Sequence, residues 1–418
     1  MNYKKFSGAA SAALMIVITV SLLFAPSAWA QAKYKTLYKF KGGTDGTPQV
    51  GLIFDRAGNL YGTETWGGTG GCGAVFELTL GMGGSWTKSV LHNFTCSDGD
   101  YPVADLIFDV AGNLYGTAII GGAYNGGVVF ELTPNADGSW TESIPHGFTG
   151  GQDGFEPFFA PLIFDGAGNL YGTTYRGGMY QQWSGYGVAF RLSPNQDGSW
   201  TETVLHTFTG KDGNESRAGL IFDGAGNMYG TTQLGGAAGQ GVVFKLTPNS
   251  GGSWTEKALH QFTGEKDGGQ PWGGLIFDAA GNLYGMTYQG GAYGAGVVFK
   301  LTPNSNGGWT EKVLHHFNGG KGGGYPQDKL IFDAAGNLYG MTCYGGNLSY
   351  CNGAGCGVVF KLAPNSNGGW NETVLHTFLD HPGAEPAAGL TFDAVGNLYG
   401  TTGGDGTTTF GSVFEITP

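Results

Sequence analysis

LIFDAAGNLYG, Leu275 to Gly285, is the stretch that decides the fold, because this chain of 418 residues writes it seven times. The copies start at Leu52, Leu106, Leu162, Leu220, Leu275, Leu330 and Leu390, with Met228 and Thr391 as the main departures, and lie 54 to 60 residues apart. A period of that length is the mark of a repeat architecture, and it sets the fold before any single residue is weighed.

Working outward from Leu275, LIFD reads as a short apolar strand and Asp278 to Asn282 as a turn whose glycine suits positive φ. NLYGMT then reads as a second strand, so the phrase is a tight hairpin. A glycine-rich link, Gln289 to Gly294, leads to Val297-Val298-Phe299-Lys300-Leu301-Thr302, whose period of two marks a third strand. Pro303-Asn304 breaks it. A fourth strand, Trp309 to Phe317, alternates again and is expected to carry Trp309, Glu311, Val313, His315 and Phe317 on one side. Nothing in the unit has an apolar pattern at helical spacing. Four antiparallel strands in each of seven units predict an all-β fold, a seven-bladed β-propeller.

The last unit stops after its third strand, at Pro418, while Lys35-Thr36-Leu37-Tyr38-Lys39-Phe40 has the pattern of a fourth. The strand at 34–40 is therefore expected to complete the seventh blade and close the ring, which leaves no unpaired edge.

Lys4 and Lys5 precede the run AALMIVITVSLLFA, and Ala28-Trp29-Ala30 offers a cleavage site, so residues 1–30 are expected to be a secretory signal peptide and residues 31–418 one propeller domain. Cleavage removes two lysines and no acids, taking the net charge from −12 to −14. Such an acidic chain has no basic patch for nucleic acid. No second long apolar run follows, so no membrane anchor is expected after cleavage. A secreted monomer, extracellular or periplasmic, is the expectation. The 82 glycines would fit disorder, but the 14% aromatic content repeats on schedule and argues for a packed protein.

In this strand order the first-to-second and third-to-fourth turns share one face and hardly vary. The second-to-third and fourth-to-first links share the other face and vary in length and content, so a ligand site is expected there. That face is rich in rings: Trp66, Tyr101, Tyr175, Tyr180, Trp183, Tyr186, Trp272, Tyr288 and Tyr325, with carboxylates at Asp105, Glu156 and Asp328. Rings with polar edges beside carboxylates suit sugar faces and hydroxyls. The plainer reading is that the rings pack the loops onto the blades. Charged residues that break the repeat, Asp105, Glu156, Arg176, Glu215, Arg217, Asp328, Lys329 and His381, are the candidates for any catalysis at the channel mouth.

Other signals read as structural. His92, His146, His206, His260, His315 and His376 recur on the fourth strand, where the N-terminal strand has Tyr38. They sit on outer strands of successive blades and cannot meet on one ion. Asp55, Asp109, Asp165, Asp223, Asp278, Asp333 and Asp393 open the hairpin turns and read as turn caps. No metal, no cofactor and no hydrolase motif is expected. Cys72 and Cys96 fall at neighbouring strand ends and are expected to pair. Cys351 and Cys356 bracket a short insertion and are expected to clip it, with Cys343–Cys356 as the alternative.

The phrases AGNLYGTT, GGxxxxGxVFKLTP and DGxxP, recurring in order over residues 34–418, resemble the GloVer-type extracellular tandem repeats of exported bacterial proteins. The hairpin is also similar to NHL and SMP-30-like propeller repeats. The resemblance implies a secreted or surface protein with no established activity and no catalytic residues to carry over. The expected function is non-enzymatic binding of a polysaccharide or cell-surface partner through the ring-rich face. The alternatives are a polysaccharide lyase or glycoside hydrolase at the channel mouth, and a structural adhesion or matrix component.

Overall fold

Seven four-stranded antiparallel sheets make up the computed structural model, and six of them run through consecutive strands in simple up-and-down order. Residues 32–179, 184–379, 386, 388–404 and 410–418 are described; the expected signal peptide, Tyr180, Trp183 and His381 lie outside them. Ala32 to Pro418 form one compact unit, and no helix among the described residues is long and apolar enough to cross a membrane.

The seventh sheet closes the ring. Its outer strand is Lys33–Lys39, antiparallel to Ser412–Thr417, with Lys33 opposite Thr417 and Lys39 opposite Ser412. Thr401 adds a hydrogen bond from its hydroxyl to the carbonyl of Val50, at 2.8 Å, from the last blade to the first. An apolar cluster of Phe40, Leu52, Leu60, Phe76, Leu78, Tyr399 and Val413 fills the same junction.

Each word of the repeated phrase has a structural job. The first strand is only Ile276–Phe277. Asp278 accepts from the N–H groups of Ala280 and Asn282, both at 2.9 Å, and from the Asn282 side chain at 2.6 Å, which caps the turn with its own residues. Tyr284 donates its hydroxyl to the same carboxylate at 3.0 Å. Leu283 is buried, and Gly285 lies directly opposite Phe299 of the third strand. A Cβ on Gly285 would come within 2.6 Å of that phenyl ring, so the glycine makes room for the core.

Packing runs between blades. The phenylalanine that ends each fourth strand meets, edge to face, the third-strand phenylalanine of the next blade, as in Phe262–Phe299 at 5.1 Å, Phe317–Phe360 at 5.2 Å and Phe378–Phe414 at 5.4 Å. All are essentially fully buried, and burying one such side chain contributes about 1.5–3 kcal/mol.

The fourth strand departs from the sequence reading. In Trp309–His316, Val298 pairs with His315 but Phe299 pairs with Val313, so Leu314 is an extra residue, a β-bulge. The period of two slips by one there. Trp309 and Val313 pack against the preceding blade, whereas Leu314 and Phe317 pack against the following one. The five residues expected on one side are thus split between two junctions, and the register slips at the same place in every blade.

The slip sets His315 against Glu372 of the next blade and His92 against Glu142 of the next. Burial pushes the carboxyl of Glu142 up to about 8 and those of Glu202, Glu256, Glu311 and Glu372 up to about 7.

The cysteines form two bridges, Cys72–Cys96 and Cys351–Cys356. Cys343 is buried and belongs to neither, so the Cys343–Cys356 alternative is not adopted.

Candidate functional site: the channel mouth

The chain enters every inner strand from the variable face, so the residues before each LIF line the axis. They enclose a cavity of about 390 Å³ to which all seven blades contribute, with Leu52, Leu106, Leu162, Leu220, Leu275 and Leu390 among its walls. The links on that face are tied in pairs by single β-bridges, Thr47 with Trp66, Phe155 with Arg176, Asn214 with Leu234 and Gly269 with Gln289. This places the two kinds of variable link side by side, as the strand order requires.

One residue position in these links is unusual. Tyr101, Glu156, Glu215, Gln270 and Tyr325, at matching places in five blades, all have φ between +55° and +59°. Non-glycine residues avoid that region, and strain of this kind clusters at ligand sites. Glu156, Glu215, Gln270 and Tyr325 are pinned through both backbone groups, and Tyr101 through its carbonyl; Glu215, for example, donates to the Tyr186 carbonyl at 3.2 Å and accepts from the Gln233 N–H at 2.9 Å. Sequence reasoning missed the pattern, and Gln270 with it, because no glycine marks the turn.

Inside the channel three of the repeat-breaking residues meet. Lys329, from the sixth blade, reaches across to Asp105 of the second, with Nζ 2.8 Å from Oδ2. The other oxygen of Asp105 accepts the Gly51 N–H at 2.7 Å. Asp328 accepts the Lys329 N–H at 2.5 Å and the N–H of Gly389. Burial, and next the charge of Asp105, push the Asp328 carboxyl up to about 6, while Asp105 above all holds the Lys329 ammonium in its charged form. The glycines are needed here: a Cβ on Gly51 would lie 2.6 Å from the Asp105 carboxylate.

A belt of rings crosses the mouth from the third blade to the sixth. Phe158 lies against Tyr175 at 5.4 Å, Trp272 stacks on Tyr288 at 4.0 Å and 1°, Tyr288 meets Tyr325 at 5.3 Å, and Tyr325 meets Tyr344 at 5.7 Å. Arg217 sits within it, its guanidinium carbon 4.1 Å from the Trp272 ring and 4.5 Å from Phe158. Two partners that close to Trp272 must occupy opposite faces, so the indole holds the guanidinium and has no face left for a sugar. Burial pulls Arg217 down to about 10, which leaves it charged at neutral pH. Arg176 pairs with Glu156 at 3.6 Å, and Tyr175 bonds Glu215. Arg217 has no carboxylate within 4.0 Å among the described residues, and its Nε, like the Nε1 of Trp272, is buried without a hydrogen-bond acceptor.

The remaining rings fall elsewhere. Trp66 is 41% exposed and, among the described rings, meets Tyr101 at 6.0 Å on the other side of the mouth. Tyr186 packs into the core between the third and fourth blades. The structure therefore gathers Tyr175, Trp272, Tyr288 and Tyr325 into one belt, places Asp105 and Asp328 below it, and leaves Trp66 with Tyr101 apart.

The profile of the Gloeobacter/Verrucomicrobia repeat family matches residues 24–223, 179–368 and 224–418. No curated protein matches the chain. Among solved structures, an ancestral GH74 enzyme aligns over 92% of this chain at 12% identity and a TM-score of 0.52, and this chain covers 51% of that one, about half its length. A putative oxidoreductase (glucose dehydrogenase) from Thermus thermophilus aligns over 74% of this chain and 94% of its own, with 14% identity and a TM-score of 0.41. A protein of unknown function from Dyadobacter fermentans aligns over 93% and 100%, with 10% identity and a TM-score of 0.40. Identities this low bear on the fold alone.

Proposed function

Since the chain belongs to the Gloeobacter/Verrucomicrobia repeat family, we propose from the mouth itself that this is an exported, non-enzymatic propeller that binds acidic polysaccharide. The observation that carries the reading is Arg217: a largely buried cation, shelved on Trp272 and Phe158, with no carboxylate of its own in ion-pair range among the described residues. A guanidinium whose face is covered by rings presents its edge, where Nη1 donates to Gln233 Oε1 at 3.4 Å and the remaining N–H groups are those a carboxylate would take. Tyr175, Tyr288 and the strained Glu215, which act electrostatically on Arg217, supply polar edges beside it for hydroxyls. Two disulfides support an oxidising compartment.

Binding of the purified chain to a uronate-rich polymer and to a neutral glucan tests this. The uronate polymer should bind, and Arg217→Gln should weaken it by about tenfold or more, the 1.4 kcal/mol or more expected for a charge-assisted contact. Absence of binding to any glycan, or equal binding by the variant, sinks the reading.

A second reading rests on the convergence of Asp105, Asp328 and Lys329. A carboxyl held near 6 beside a second carboxylate is suited to proton transfer, so a lyase or glycoside hydrolase is the alternative. Both carboxylates already accept backbone N–H groups, which fits a structural strut equally well. Product release from uronate and neutral glycans, abolished by Asp328→Asn, would establish the enzyme; silence on both substrates removes it.

A further inference from the structure

The junctions between blades hold side chains that the mouth does not use. At the first, His92 of one blade, Asp98 of its following link and Glu142 of the next blade bring their ligand atoms within 4.8 Å of one another, and His206, Asp212 and Glu256 do the same at the third. The second and fourth junctions repeat the residue types without bringing all three ligand atoms that close: His146 lies 3.5 Å from Asp153 and near Glu202, and His260 lies 3.3 Å from Asp267, whose charge bears on Glu311. We propose that the first and third junctions are divalent-cation sites, each taking one Zn²⁺-like ion on one imidazole nitrogen and two carboxylates.

Four observations support this. His92 Nε2 lies 3.5 Å from Glu142 Oε2 and 3.7 Å from Asp98 Oδ2. Those separations are too long for hydrogen bonds, yet near the ~3.4 Å between two ligands that each lie ~2.0–2.1 Å from one tetrahedral ion. Nε2 of His92, His146 and His260 is buried without a hydrogen-bond partner, and so is one oxygen, Oε1, of Glu142, Glu202, Glu256 and Glu311, while His206 Nε2 shares a hydrogen bond with Asp212 Oδ2 at 3.1 Å. Each aspartate is held in place by a backbone N–H of its own link, from Thr95, Thr149, Thr209 or Thr263, the outer support that metal ligands use.

The fourth observation comes from the closing junction, where the sequence itself inserts a cation. There Tyr38 takes the histidine position and Asp45 the aspartate position, while Lys88 takes the place of the glutamate. The Lys88 ammonium sits between Asp45 and Glu64 and bonds both. No lysine or arginine reaches Glu142, Glu202, Glu256 or Glu311 among the described residues, so those four junctions carry the carboxylates without the ammonium. The donor set of imidazole and carboxylate suits Zn²⁺. The fifth junction has His315 and Glu372 but no acid from Asn318 to Gly324, and in the sixth Tyr34 stacks on His376 at 3.9 Å, so neither offers the full set.

Equilibrium dialysis of the untagged, chelator-stripped chain against Zn²⁺ tests the proposal. About two equivalents should bind and the thermal midpoint should rise. Glu142→Gln and Glu256→Gln, each checked for an unchanged β-sheet circular dichroism spectrum, should each lose one equivalent. If either variant does not fold, His92→Gln or His206→Gln reports on the same junction. No binding, or full stoichiometry in the variants, overturns the proposal. So does a chain indifferent to Zn²⁺ but stabilised by acid through the same glutamates, because a proton would then occupy the slot.

Discussion

Glu311 and His315 lie four residues apart on one strand yet face different neighbours, Glu311 toward Asp267 of the fourth blade and His315 toward Glu372 of the sixth. The bulge at Leu314 causes the split. Deleting Leu314 would restore strict alternation and swing His315 and Phe317 to the wrong side. The loss should be at least the ~3–5 kcal/mol of a buried phenylalanine, read as a lower midpoint in urea unfolding. Near-native stability of the deletion would show that the bulge is incidental.

Gly285 and its counterparts leave room for the third-strand phenylalanine. Gly285→Ala forces a methyl to within 2.6 Å of the Phe299 ring and should cost about 1–3 kcal/mol. Combining it with Phe299→Leu should cost less than the sum of the two single changes, since the clash is then relieved. Strict additivity in that double-mutant cycle would refute the contact.

Lys329→Met leaves Asp105 and Asp328 facing each other without their ammonium. A buried pair broken this way costs about 3–5 kcal/mol, but the Lys329 side chain is 36% exposed and solvent screens it, so about 2 kcal/mol is expected at pH 7.5. The Asp328 carboxyl already sits at about 6 with the lysine present, so the penalty should shrink as the pH falls to 5 and the carboxyl takes a proton. A penalty independent of pH would place its origin elsewhere.

The turn aspartates set the acid limit of the fold. Burial pushes Asp165, Asp223, Asp278, Asp333 and Asp393 up, but bonds from asparagine side chains, backbone N–H groups and tyrosine hydroxyls outweigh it, and all five titrate below the ordinary carboxylate range. A depressed carboxyl stabilises the folded chain fully above its unfolded value, near ~3.9, and loses that contribution as the pH falls through the lower folded value. The thermal midpoint should therefore drop steeply below about pH 4. Asp278→Asn should lower the midpoint at pH 7 and make its fall in acid shallower; an equally steep fall would count against the caps.

Much of this architecture was legible because it is written seven times. The hairpin phrase, the four strands, the closing strand ahead of Phe40 and the turn caps all follow from local patterns that recur. The bulge was not legible, because Trp309, Glu311, Val313, His315 and Phe317 alternate without a visible break. The Asp105–Lys329 contact spans 224 positions and two unrelated blades, so the residues stood out only as irregularities. Trp272 looked like an open platform, and only the geometry places Arg217 and Tyr288 over its two faces. The exchange of glutamate for lysine at position 88 was visible in WTK against WTE, but its meaning needed the partners Asp45 and Glu64.

The pairing of Lys33 with Thr417 also sets an order of events in time. A ribosome finishes Lys33 long before it makes the strand at Ser412–Thr417, so the first strand of the blade system must wait, unpaired, for the last. Six blades form on contacts local in sequence, whereas the seventh needs Lys33–Lys39 and Ser412–Thr417 brought to the same place. A chain cut short before residue 412 lacks the partner of Lys33–Lys39 and leaves the ring with an open gate.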